Sequence, residues 1–196
     1  MLDIIIRDIP LTFHTNEGVF SPSSIDKGTL AMLSVVEFTP EDKVLDLGCG
    51  YGVVGILAAK LIGSSKVTMI DIDEKAIALS NENAKLNKVE GCNIYQSDGF
   101  EQVDEKEFTL ILSNPPYHVD FSVPKHFIEK GFNRLKIGGR MVMVTKRQDW
   151  YKNKLTAIFG GVRVSEVDGY YVFMSIKKEA SYVILNKIKN KNKNKK

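Results

Sequence analysis

Cysteine is scarce: Cys49 and Cys92 are the only two in 196 residues. Their spacing fits neither a zinc site nor a disulfide framework, so both read as reduced thiols among core residues, and no metal is expected. There is no run of roughly 20 uninterrupted apolar residues of the kind a membrane-spanning helix needs. The start Met1-Leu2-Asp3-Ile4 also lacks the basic, apolar and small-residue regions of a secretory signal. A soluble, cytoplasmic protein is therefore expected. With 196 residues and 43% hydrophobic content, the chain suffices for one α/β domain with a buried core and not for two ordinary ones.

A strong charge of one sign is missing too. The net charge is +3, but the run from Asn186 to Lys196 holds six lysines and no acid, and without it the sign reverses to −3. The Lys/Asn-rich tail, 179–196, is predicted to be disordered at its end. Residues 1–178 are predicted to form a single domain, with 1–24 as an N-terminal hairpin or flap. Position tells more than bulk charge: Asp120 to Arg163 carries ten Lys or Arg against three acids. The second half is basic where the first is acidic.

What the chain does contain is alternation. From Lys43 onward, β-branched runs at Lys43 to Leu47, Lys66 to Ile70, Asn93 to Gln96, Phe108 to Leu112 and Arg140 to Thr145 alternate with helical patterns. This is the signature of βαβ units on a parallel sheet. Val53 to Leu61 is apolar on most faces and predicts a buried helix; Glu74 to Asn87 is amphipathic, with Asp73 as its N-cap. Val162 to Val167 and Tyr170 to Ile176 flank Asp168-Gly169, a strong hairpin signal. Leu11 to Thr15 and Val19 to Ser21 flank Asn16-Glu17-Gly18 and suggest a second, small hairpin, followed by a helix over Ser24 to Val36. The predicted architecture is a mostly parallel, seven-stranded sheet with helices on both faces, a C-terminal antiparallel hairpin and a small N-terminal hairpin. A monomer or a homodimer fits these elements.

The candidate chemistry sits at strand ends. Asp46-Leu47-Gly48-Cys49-Gly50-Tyr51-Gly52 is a strand running into a glycine-dense turn, where the backbone can bend sharply and approach a ligand. Gly50 to Gly55 matches G-x-G-x-x-G, so dinucleotide binding stays open. Asp46, just before the glycines, would repel a pyrophosphate but suits a cationic amino group. Asp71, beside Ile72 and about 20 residues past the turn, lies where a ribose diol would sit, and Asp98 could accept a hydrogen bond from an adenine amine. After the fourth strand comes Asn114-Pro115-Pro116-Tyr117. Two prolines stiffen the turn. Together with the Asn114 side-chain oxygen, outward carbonyls could accept both hydrogens of an NH₂ group, while Tyr117 offers a face for stacking. His118 reads as a packing residue rather than a base, and Phe20 could stack near the cofactor as part of a flap.

Together, Gly18-Val19-Phe20-Ser21, Asp46 to Gly52, Asp71 and Asn114-Pro115-Pro116-Tyr117-His118 resemble the methyltransferase small domain group of class I methyltransferases. The likeness is to the catalytic half of the RsmC and RlmG type, ribosomal-RNA guanine-N2 enzymes, and covers about Thr12 to Ile176. The resemblance implies a Rossmann-like fold and S-adenosyl-L-methionine as cofactor, held by Asp46, Gly48, Cys49, Gly50, Gly52, Asp71, Ile72, Asp98, Asn114 and Phe20. It also implies that Asn114, Pro115, Pro116 and Tyr117 bind a target amine on a base in RNA, guanine N2 or adenine N6. A second N-terminal domain present in those enzymes is absent from these 196 residues. The same Asn-Pro-Pro-Tyr loop also resembles release-factor glutamine methyltransferases, and an NAD-binding module or a non-catalytic RNA-binding protein are the alternatives from other classes.

Overall fold

The computed structural model describes residues 1–15, 24–116 and 120–182. It opens with an antiparallel hairpin, β1 (Leu2–Ile6) and β2 (Ile9–Phe13). The two turn residues, Arg7 and Asp8, have φ of 53° and 63°, the mirror-image turn whose twist matches two paired strands. Ile6, Leu11 and Phe13 are buried on the hairpin's inner face. The predicted turn at Asn16 to Gly18, with Val19 to Ser21 and Phe20, lies outside the described residues.

Helix α1 (Lys27–Val35) starts later than the predicted Ser24, because Asp26 is its cap: the carboxylate accepts from the Thr29 backbone N–H at 2.8 Å. Strands and helices then alternate as β3 (Val44–Leu47), α2 (Val53–Ile62), β4 (Val67–Asp71), α3 (Glu74–Leu86), β5 (Asn93–Gln96) and β6 (Phe108–Ser113). Asp73 caps α3 through the Lys75 N–H at 3.0 Å. After β6 come α4 (Ser122–Arg134), β7 (Leu135–Thr145), α5 (Gln148–Phe159), β8 (Arg163–Val167) and β9 (Tyr170–Ile176). β7 begins five residues before the predicted Arg140, with a register shift against β6 between Leu135 and Arg140. α4 has no counterpart in the sequence reading, although it buries Ile128 and Phe132, four residues apart on one face.

The sheet has the strand order β5-β4-β3-β6-β7-β9-β8, parallel except at β9, which runs antiparallel to β7 and β8. Successive residues of its central strands go to opposite faces. Val44, Leu110 and Val142 join the core beneath α1, α2 and α3, while Leu45, Ile111 and Met143 join the one beneath α4 and α5. Both faces are covered, so β3 and β6 are buried at every position, as near-continuous apolar runs in a parallel sheet must be. β3 pairs with β4 on one side and β6 on the other. The chain therefore reverses its direction of travel across the sheet at β3, and a crevice opens at the strand ends there.

Two asparagines attach the hairpin to this frame. Asn87, the C-cap of α3, accepts from Thr12 N at 3.1 Å and donates to Thr12 O at 2.7 Å. Asn83, one turn earlier, accepts from His14 N at 2.7 Å and donates to His14 O at 3.0 Å. Residues 12 and 14 thus meet side-chain amides where a third strand would stand.

Candidate functional site

A cavity of about 380 Å³ occupies the crevice at the ends of β3, β4 and β6. Its floor is the turn after β3. Gly48 and Cys49 both donate their N–H to Ile70 O at 2.9 Å, and Gly50 donates to Asp71 Oδ2 at 2.8 Å. The Ser80 hydroxyl closes the loop by donating to Gly50 O at 2.8 Å. Gly52 caps α2 with φ of 98°, and a Cβ there would lie 2.8 Å from the Met69 methyl. A Cβ on Gly55 would lie 2.5 Å from Met69 Cγ, so α2 can rest this close to β4 only with glycine at both positions.

The acids of this region hold backbone. Asp46, 3% exposed, accepts from Gly55 N at 2.8 Å. Burial raises its carboxyl to about 7 against the lowering effect of the Gly55 bond, with the nearby Asp71 charge adding to the rise. Asp71 takes Gly50 N on one oxygen and Asp73 N on the other, at 2.8 and 3.0 Å. The Cys49 thiol is buried, and burial followed by the charges of Asp46 and Asp71 pushes its pKa well up. It is a protonated packing group rather than a nucleophile.

Across the crevice, β6 ends in Ser113, whose hydroxyl donates to Leu47 O at 2.8 Å and so ties the end of β6 to that of β3. Asn114 follows. Its Nδ2 donates to Asp26 Oδ2 at 2.7 Å and to Thr29 Oγ1 at 3.0 Å. Its Oδ1 is buried and has no hydrogen-bond partner, a costly state for an acceptor unless a ligand satisfies it.

Of the residues the sequence singles out, Asp46, Gly48, Cys49, Gly50, Asp71, Ile72, Asp98, Asn114, Pro115 and Pro116 all line this cavity. Gly52 shapes the turn from behind. Phe20, Tyr117 and His118 lie outside the described residues. The sequence reading missed Ile25, Asp26 and Thr29 from the start of α1, and Val123 and Phe127 from α4. Asp26 and Thr29 were detectable as an Asp-x-x-Thr cap; nothing local marks the other three.

Four lining residues are acids and none is Lys, Arg or His. Among the described residues, then, no cation waits for a pyrophosphate, and the electrostatics suit a ligand that is itself positive. S-adenosylmethionine fits: a cationic sulfonium and ammonium, a ribose diol, and an unsatisfied acceptor beyond them at Asn114.

Sheet order, glycine turn and strand-end acids define the class, a Rossmann-like methyltransferase. The chain belongs to the methyltransferase small domain family, whose model matches residues 10–174, and it is an S-adenosylmethionine-dependent methyltransferase. It is 35% identical over 178 residues to the uncharacterized protein YbxB of Bacillus subtilis, covering 88% of this chain and 89% of that one. It is 32% identical over 175 residues to ribosomal RNA small subunit methyltransferase C of Pseudomonas putida, covering 87% of this chain and 52% of that one. Among solved structures, the T. thermophilus 16S rRNA N2 methyltransferase RsmC, in complex with AdoMet and guanosine, superposes with a TM-score of 0.83 at 26% identity. That match covers 90% of this chain and 50% of the RsmC chain. The chain spans about half the length of the ribosomal RNA methyltransferases it matches.

Proposed function

We propose that the protein methylates an exocyclic amino group of a base in ribosomal RNA, guanine N2 first and adenine N6 second. The observation that carries this reading is the buried, unpartnered Asn114 Oδ1 beside the cavity. An NH₂ group satisfies that acceptor; a keto oxygen would face it with like partial charge. The binding of guanosine by the T. thermophilus relative supports the choice of base.

When bound, S-adenosylmethionine supplies an electrophilic methyl on a positively charged sulfur. Asp46 and Asp71, with the turn at Gly48 to Gly52, would hold the cofactor together with Asp98 and Ile72, which line the same cavity. Asn114 Oδ1 and the Pro115 carbonyl accept the two hydrogens of the target amine. This withdraws the nitrogen lone pair from the ring and disperses positive charge as the new bond forms. Tyr117 stacks on the base, at roughly 1–3 kcal/mol, and Pro116 stiffens the loop that presents it. The methylated nitrogen carries one surplus proton and is strongly acidic, so the proton passes to solvent without a strong base, and the rate depends chiefly on alignment.

The test is transfer of labelled methyl from S-adenosylmethionine to 30S subunits, 50S subunits, DNA and protein from cells lacking the gene, with Asn114→Ala as control. Label recovered as N2-methylguanosine, and lost in the variant, is expected. Label as N6-methyladenosine would keep the chemistry and change the base; label in protein alone would move the acceptor to a glutamine side chain.

A further inference from the structure

A side-chain amide has two ends of nearly equal shape and opposite hydrogen-bonding sense, and its neighbours decide which end faces where. At Asn114 the neighbours are unambiguous. Asp26 Oδ2 can only accept, and it takes the amide nitrogen at 2.7 Å; Thr29 Oγ1 takes the same nitrogen at 3.0 Å. Both Nδ2 hydrogens are thereby used on the α1 side, which leaves Oδ1 as the buried end without a partner. Turning the amide over would press its oxygen against a carboxylate and bury two unpaired donors in its place.

We propose that Asp26, with Thr29, is a positioning residue that fixes the Asn114 amide with its oxygen toward the acceptor, and so makes the site select amino over keto groups. The inference rests on the reading that Asn114 Oδ1 accepts the target amine. Asp26 is itself held: the same Oδ2 accepts the Thr29 backbone N–H at 2.8 Å. One carboxylate oxygen therefore joins the cap of α1 to the residue after β6, 88 positions along the chain. Without Asp26, no acceptor-only group holds the Asn114 nitrogen on the α1 side, and the site's discrimination between an NH₂ and a C=O on the base edge is lost.

The experiment separates the cap from the lock. Asp26→Ser keeps a good N-cap but withdraws the oxygen that reaches Asn114, whereas Asp26→Asn keeps an acceptor oxygen for both donors. In Asp26→Ser, kcat on the RNA substrate is expected to fall about 10- to 100-fold, whereas any change in cofactor affinity from the lost charge should be shared equally by Asp26→Asn. Asp26→Asn should restore most of that loss. As a readout independent of activity, the Asn114 side-chain NH₂ resonances in a ¹⁵N-Asn-labelled protein should lie downfield in the wild type and in Asp26→Asn. They should move upfield in Asp26→Ser. Unmoved resonances, or wild-type kcat in Asp26→Ser while Asn114→Ala is inactive, would overturn the proposal. Full transfer by Asn114→Ala would instead overturn the function assigned to Asn114, and the resonances alone would then decide whether Asp26 orients it.

Discussion

The two sides of the crevice hold their site residues by opposite means. On the β3–β4 side, carboxylates grip backbone: Asp46 takes Gly55 N and Asp71 takes Gly50 N and Asp73 N. On the β6 side, one side chain is gripped by two others, Asn114 by Asp26 and Thr29. The first arrangement makes a rigid surface from many small contacts. The second concentrates recognition in a single amide. Changes on the β3–β4 side should therefore weaken binding and folding together, and changes on the β6 side should cut turnover alone.

The largest effect expected is that of Asn114→Ala. Loss of one preorganised acceptor should lower the single-turnover rate about 10²- to 10³-fold, with S-adenosylmethionine affinity, read by calorimetry, nearly unchanged. If cofactor affinity fell equally, the two sides would not be separable. Next, Asp71→Ala should weaken S-adenosylmethionine binding about 10- to 100-fold, the worth of charge-assisted hydrogen bonds, and should lower the melting temperature as well because Gly50 loses its anchor. Third, Asn83→Ala should cost about 1–3 kcal/mol, or roughly 2–12 °C in thermal melts. The buried amide serves His14 on one side and Tyr51 O at 2.9 Å on the other.

A fourth test is a pH effect. Asp46 stands raised to about 7 against an ordinary 3.8, so folding takes up a proton between those values. Its contribution to stability is full below about pH 4 and is lost as pH rises through 7. Melting curves of the ligand-free protein should fall across that window, and Asp46→Asn, which keeps an acceptor for Gly55, should flatten the fall. Saturating S-adenosylmethionine should also reduce it, because a nearby cation favours the ionised form. An identical pH profile in wild type and variant would mean that the carboxyl is not strained by burial.

The sheet and the cofactor side were legible because their signals are local. A glycine turn between a strand and a helix, an acid ending the next strand, and Asp168-Gly169 between two β-rich runs each lie within a dozen residues. Asp168 and Gly169 do adopt positive φ, 50° and 76°. The first hairpin makes the same kind of turn with Arg7-Asp8, which carries no such composition and gave no local signal. The acceptor side was half legible. Asn114 stood out by its prolines, but Asp26 acts from 88 residues away, and no pattern in a single sequence reports a contact at that range. α4 was missed because Pro124 and Gly131 interrupt its helical periodicity, although it contributes Val123 and Phe127 to the cavity wall.

The asparagine pair on α3 has a consequence beyond anchoring. An outer strand with unpaired N–H and C=O groups is a template on which another chain can build a strand. In β2 and just past it, Thr12 and His14 have both groups occupied by Asn87 and Asn83. The side chains of a helix thus close a sheet edge against self-association without adding a strand, and Asn83→Ala should leave a protein that aggregates on warming as well as one that melts sooner.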